Sequence, residues 1–366
     1  MLRTLAALVV VLLVHGRVRG EEGLPVRTLP RDELLLFSTP SGKPEPARTA
    51  EDWEKRRKAI LTAFQQVAGP FPGLERRVPL DVKTLSEEDC GSYVRRMIEY
   101  TSEPNGRVPA FLLIPKKLLG DAGTKAPAVL CLHPTDNVVG YKVVVGLGGK
   151  ANRQYASELA ERGYVTLAPS YPLLANYQPD LKGLGWESGT MKAIWDASRG
   201  LDLLDSLPFV RTGQYGVIGH SLGGHNSVFA ALFDERLKVI VSSCGLDQFV
   251  DYYGGVERVW MPEKGWAQTR YMPRLAGYRG KVDTIPFDFS ELVAALAPRH
   301  VFISAPLHDS NFRHDSVDRV VVAARPVFEL LRAGDRLEVA HPDCDHDFPN
   351  EIRERAYALF DRVLAQ

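Results

Sequence analysis

From Tyr93 onward the chain trades short apolar runs for segments of helical period, almost to its end. "YVRRMIEY" alternates polar and apolar residues as a half-buried strand does, and "VPAFLLIP" follows it across an "EPNGR" turn. "APAVLCLHP" is nearly continuous in apolar residues, the pattern of a strand covered on both faces. "NRQYASELAERG" then reads as helix and "YVTLAPSYP" as strand. The same alternation predicts helix 190–206, strand 214–218, helix 222–233, strand 237–243, helix 289–297, strand 299–304, helix 315–332, strand 335–340 and helix 350–364. Strands separated by helices imply an α/β domain over residues 90–366 with a mostly parallel central sheet covered by helices.

Two stretches stand outside that rhythm. Residues 21–89 form an N-terminal extension, with an extended lead-in followed by an amphipathic helix at about 50–68, capped by Thr49 and closed at Gly69. Residues 245–288 are too rich in Pro and Gly for one helix and too rich in Tyr and Trp for a plain linker. They are expected to form a partial cap over the carboxyl edge of the sheet.

Composition narrows the function classes. Basic and acidic residues balance at 45 each, which gives no footprint for a nucleic-acid partner. At the amino end Arg3 precedes an apolar segment from Leu5 to Val14, so residues 1–20 read as a secretory signal peptide, too short to span a bilayer with ease. Export and no stable membrane insertion after cleavage are expected. Cys131 and Cys244 end strand patterns and are expected as buried free thiols, whereas Cys90 and Cys344 are the two left that could pair.

The candidate chemistry centres on "GHSLGG". Gly219 and Gly223 bracket Ser221 at the junction of a strand and a helix pattern, a tight turn that would lift the serine above the sheet as a nucleophile. A serine hydroxyl needs a base, and the base needs a carboxylate to hold its tautomer. His346, on the loop after the last strand, is the expected base, with His341 as second choice. Asp309 in "APLHDSNF" is the expected acid, ahead of Asp315, and His308 and His314 are expected as loop residues. Asp343, Asp345 and Asp347 crowd His346 without metal-ligand spacing, so no metal is expected. The oxyanion of an acyl-transfer intermediate needs two donors: the N–H of Leu222, and one from the loop "LHPTDNVVGYK", with Thr135 as candidate and His133 bracing it. Trp186 and His225, with Trp260, Trp266 and Tyr271 of the insertion, are the candidate substrate-binding residues; Asn226 accompanies His225, and Trp195 is expected in the core.

Together "GHSLGG", the "LHP" loop, "APLHDSNF" and "DCDHDFP" resemble the α/β-hydrolase superfamily over about residues 90–364, and in particular its bacterial secreted dienelactone-hydrolase-like and acetyl-xylan-esterase-like branches. The resemblance implies an α/β-hydrolase fold, hydrolysis of carboxylic esters, often on carbohydrates, and no metal or organic cofactor. It also implies nucleophile Ser221, acid Asp309, base His346 and oxyanion donors at Leu222 and the His133 to Thr135 loop. Dienelactone hydrolases carry cysteine where this chain has Ser221, which argues against lactone-diene chemistry. The rival readings are a serine peptidase, which lacks a recognisable amino-terminal propeller here, and a non-catalytic binding protein.

Overall fold

The computed structural model describes residues 23–120 and 123–365, so the expected signal peptide lies outside the described residues. The chain opens with a hairpin of β1 (Leu36–Ser38) and β2 (Pro44–Pro46), followed by α1 (Ala50–Ala68). The main sheet begins with β3 (Lys83–Asp89), β4 (Tyr93–Glu103), β5 (Gly106–Pro115) and β6 (Ala126–Leu132). It continues through α2 (Tyr155–Glu161), β7 (Val165–Pro169), α3 (Gly189–Ser206), β8 (Val210–His220), α4 (Leu222–Phe233) and β9 (Leu237–Ser243). After the insertion come α5 (Phe289–Ala294), β10 (His300–Ser304), α6 (His314–Leu330), β11 (Leu337–Ala340) and α7 (Asn350–Leu364).

The nine strands from β3 to β11 lie in the order β11-β10-β9-β8-β6-β7-β5-β4-β3. The pairs from β11 through to β7 are parallel, and β7–β5, β5–β4 and β4–β3 are antiparallel. Successive side chains of a strand face opposite ways, and the core divides accordingly. Ile218, Val129 and Cys131 point to a layer closed by α2 and α7, while Val217, Ala128 and Leu130 point to one closed by α1, α3, α4, α5 and α6. This is the α/β-hydrolase architecture.

The extension is bound into the second layer. Thr49 Oγ1 accepts from the N–H of Asp52 at 3.2 Å, and Gly69 ends α1 at φ 97°. Trp53, Ile60, Phe64 and Val67 are buried on one face of α1. At roughly 2 kcal/mol per side chain, their burial contributes at most about 8 kcal/mol. Arg56 and Arg27 both pair with the buried Glu291 of α5, at 2.7 and 2.8 Å.

The sequence pattern misses β3. All seven of its residues are exposed, so no apolar alternation marks it. Pairing with β4 holds it, helped by Glu88–Arg95 and Glu87–Arg96, each at 2.6 Å. The insertion is a chain of short turns whose Trp260, Met272, Leu275 and Tyr278 are buried in the main core. All four cysteines are free, so Cys90 and Cys344 do not pair.

Candidate active site

Ser221 sits between β8 and α4 with φ 56° and ψ −117°, a conformation outside the regions open to ordinary L-residues. Its N–H donates to Ser243 O at 2.8 Å, and its C=O accepts from the N–H of Gly224 at 2.8 Å. The two motif glycines are there for space. A Cβ on Gly219 would stand 2.1 Å from Gly223 O, and one on Gly223 would stand 2.0 Å from Leu132 O. Only a chain without side chains at both positions can turn this tightly against β6.

The acid and base meet across two loops. Asp309, after β10, accepts from His346 Nδ1 through Oδ2 at 2.8 Å, and its Oδ1 accepts from the N–H groups of Asn311 (2.7 Å) and Phe312 (3.2 Å). An ionised carboxylate can only accept, so the bond places the proton on Nδ1 and leaves the Nε2 lone pair of neutral His346 free to take a proton. His341 is committed elsewhere, to Ala305 O at 2.7 Å and Asp318 at 3.0 Å. Asp315 pairs with Arg313 at 2.6 Å, and the exposed His308 with Asp343 at 2.8 Å.

Ser221 opens onto a cleft of about 480 Å³, mouth included, whose lining includes Thr135, Leu222, His225, Trp266, Tyr271 and Phe312. Leu222 is the first residue of α4, where the helix supplies no acceptor for its N–H. Thr135 Oγ1 lies 3.1 Å from the Tyr271 hydroxyl, which links the expected oxyanion loop to the insertion. The ring of Phe312 lies 6.0 Å from that of His346, so the base adjoins the same cleft.

The ring of His133 braces the loop: its Nε2 accepts from the N–H of Tyr171 at 2.9 Å and its Nδ1–H donates to Pro134 O at 2.8 Å, so the imidazole has no free N–H to offer an oxyanion. Burial lowers its pKa to about 4. Two expectations need correction. Trp186 does not line the cleft; it is buried, donates to Glu103 Oε1 at 2.9 Å and lies under the guanidinium of Arg76. Trp260 is fully buried against Phe249 and Tyr252, 5.7 and 6.1 Å away, and is core. Trp266, Tyr271 and His225 do line the cleft, together with Tyr252, Gln268 and Asn311, which the sequence reading did not single out as binding residues. Asn311 had a visible signal, two positions after the expected acid.

His225 lies one helical turn beyond Ser221, its ring 4.5 Å from Trp266 and 6.2 Å from Tyr271. Its Nδ1 is buried with no partner among the described residues, and burial lowers its pKa to about 3. The imidazole is therefore neutral and has hydrogen-bonding capacity left for a ligand.

Comparison with known proteins places this geometry. A family model for fungal glucuronyl esterases matches residues 180–332, the stretch from α3 to α6 that carries Ser221, the insertion and Asp309. The glucuronoyl esterase from Solibacter usitatus superposes with a TM-score of 0.70 over 92% of this chain and 98% of its own, at 21% identity. The chain is an α/β-hydrolase-fold protein related to the glucuronoyl esterases. It is 24% identical to YtaP of Bacillus subtilis (strain 168), a protein named only as a hydrolase, over 85% of this chain and 99% of that one. It is 26% identical to the 4-O-methyl-glucuronoyl methylesterase 1 of Wolfiporia cocos (strain MD-104), matching 50% of this chain and 48% of the fungal one. The match thus spans about half the length of that fungal relative. These likenesses replace the dienelactone-hydrolase branch expected from the motifs.

Proposed function

We propose that the protein is a serine carboxylic-ester hydrolase that acts through an acyl-enzyme on esters of uronic-acid sugars. The observation that carries the reading is the combination of a strained Ser221 at the head of α4, lining the cleft, with a His346 oriented by Asp309 and packed against the cleft residue Phe312. His346 Nε2 takes the Ser221 proton as Oγ attacks the ester carbonyl, and the imidazolium that forms is stabilised by Asp309. The N–H of Leu222 and a donor of the Thr135 loop hold the oxyanion. His346 then returns the proton to the leaving alcohol, and water attacks the acyl-enzyme with His346 again as base.

The lining of the cleft supports a sugar as the bound part. Trp266 and Tyr271 offer flat apolar faces, and Gln268, Asn311 and the unpartnered His225 Nδ1 offer hydrogen bonds to hydroxyl groups. No Lys or Arg lines it among the described residues, which suits a uronate whose carboxylate is masked as a neutral ester. The related glucuronoyl esterases act in the same sense by their names. Their likeness, with the amino-terminal segment of residues 1–20, also supports export. No helix among the described residues is long and apolar enough to cross a membrane.

The test is hydrolysis of a methyl ester of glucuronic acid beside acetylated xylan and a short aryl acetate. Higher kcat/KM on the uronate ester supports the reading, preference for acetylated xylan moves the specificity to acetyl groups, and no hydrolysis of any ester by folded protein refutes it.

A further inference from the structure

Three nitrogen and sulfur donors converge at the imidazole of His346. His220, Cys244 and His346 each present one nitrogen or sulfur atom, and the three atoms lie within 4.8 Å of one another. Each is placed there by a different element: the end of β8, the residue after β9, and the loop between β11 and α7.

His220 is the most informative of the three. It is 1% exposed, its Nδ1 lies 3.0 Å from Ser243 Oγ, and its ring stacks on Phe348 at 6.3 Å. That anchoring leaves Nε2 buried with no hydrogen-bond partner among the described residues. An unpartnered ring nitrogen so deep in a protein is costly, and a ring with one nitrogen within 4.8 Å of a thiol and a second imidazole has the surroundings of a metal ligand. Cys244 is held in left-handed backbone, φ 49°, by its N–H donating to Ser304 O at 2.9 Å, and its Sγ lies 3.2 Å from Asp347 O. Its thiol is free. The side chain of His346 is 21% exposed, so the cluster has a route to solvent.

We infer that His220, Cys244 and His346 bind a soft divalent cation such as zinc or cadmium, and that occupation switches the hydrolase off. Two imidazoles and a thiolate form a three-ligand set that suits these ions and leaves a fourth position for water. Bonds of about 2.0 to 2.3 Å require the donors to draw in by about 1 Å. The cation replaces the Cys244 thiol proton, which leaves to solvent; coordination through His346 Nε2 changes no other covalent bond, whereas coordination through Nδ1 moves that ring's proton to Nε2. Whichever nitrogen of His346 binds, the base is lost: Nδ1 would leave Asp309, and Nε2 would no longer take the serine proton. The ion is an inhibitor here, not a participant in hydrolysis. Inhibition, though not binding, rests on the base role of His346 proposed above.

The experiment pairs a spectroscopic and a kinetic readout on the same chelator-treated protein. Cadmium chloride is titrated while the near-ultraviolet thiolate-to-cadmium charge-transfer band is recorded, and ester hydrolysis is measured with zinc chloride and again after added EDTA. The parent should show the band at one equivalent and lose turnover reversibly. Cys244→Ala and His220→Gln should stay folded by circular dichroism, Cys244→Ala should keep turnover, and both should weaken binding and inhibition by at least about 10- to 100-fold. A band or an inhibition that persists unchanged in Cys244→Ala places the ion elsewhere and overturns the proposal, as does a parent that binds no cadmium. Inactivity of His346→Ala, measured without metal, reports on the base role separately. Loss of turnover there with bound cadmium leaving the parent active would sink the switch and leave the mechanism standing.

Discussion

His346 Nδ1 lies 2.8 Å from Asp309 Oδ2, although the two residues are 37 positions apart and sit on loops that follow neighbouring parallel strands. The carboxylate is held independently by the N–H groups of Asn311 and Phe312, so the imidazole is oriented by a group that is itself anchored to backbone. If this dyad serves Ser221, Ser221→Ala should lower kcat by about 10⁶-fold and Asp309→Asn by about 10⁴-fold. Melting temperatures close to the parent's would separate lost chemistry from lost fold. Turnover within tenfold of the parent in Ser221→Ala would refute the nucleophile assignment.

The elbow should be intolerant of even one methyl group. Gly223→Ala would drive its Cβ to 2.0 Å from Leu132 O, which is backbone and cannot swing aside. We expect a loss of about 3 kcal/mol or more, or no folded protein, by chemical denaturation. Gly185→Ala is a useful contrast: it meets nothing within 4 Å, so its cost is confined to its left-handed φ of 77°.

Two aromatic or imidazole substitutions should divide binding from stability. His225→Phe keeps a ring between Trp266 and Tyr271 but removes the unpartnered nitrogen, so kcat/KM on a uronate ester should fall roughly 10- to 100-fold with little change on a small aryl acetate. Trp186→Phe removes the indole N–H bonded to the buried Glu103, so it should cost about 1 to 3 kcal/mol of stability and leave KM unchanged. Steady-state kinetics and denaturation of both variants decide the matter.

The share of stability that Asp247 and Asp288 contribute should fall as pH rises from about 4 to about 7, against an opposite contribution from the buried neutral His133 and His225. Burial, with smaller contributions from the charges of Asp251 and Asp288, pushes Asp247 up to about 7, and burial pushes Asp288 up to about 6. Ser316 and the N–H of Arg313 oppose the shift of Asp247, and Arg31 and Arg27 that of Asp288. Both acids hold protons more tightly folded than unfolded. Their contribution is therefore complete below the unfolded carboxylate range and is lost as pH passes through the folded values. Asp247→Asn should remove its share of that fall and gain on the order of 1 to 2 kcal/mol over the parent near pH 8. Denaturation across this range checks it, and an unchanged slope counts against the assignment.

How much of this could be read from the sequence depended on whether the signal was local. The strand, Gly-flanked serine and helix at 214–233 announce themselves because the steric demand of the elbow is met within a few residues. The parallel strands are legible because both their faces are buried. β3 is not, because its stabilisation lies entirely in its partner strand. The aromatics of the insertion were ambiguous for a related reason: Trp260 and Trp266 are the same residue type six positions apart, yet one is fully buried core and the other lines the cleft. Only tertiary packing separates them. His133 and Trp186 are likewise held by distant partners, Tyr171 and Glu103, that no local pattern reveals.

The burial of Trp53, Ile60, Phe64 and Val67 beneath α1 carries a practical corollary. Shortening the chain to begin at residue 90, where the hydrolase pattern starts, would strip a wall from the hydrophobic layer and leave Phe229, Phe233 and Phe287, all ring neighbours of Phe64, facing water. It would also leave the Glu291 carboxylate buried without either arginine. Such a trimmed protein should be recovered as inclusion bodies, so the boundary suggested by pattern is the wrong place to cut.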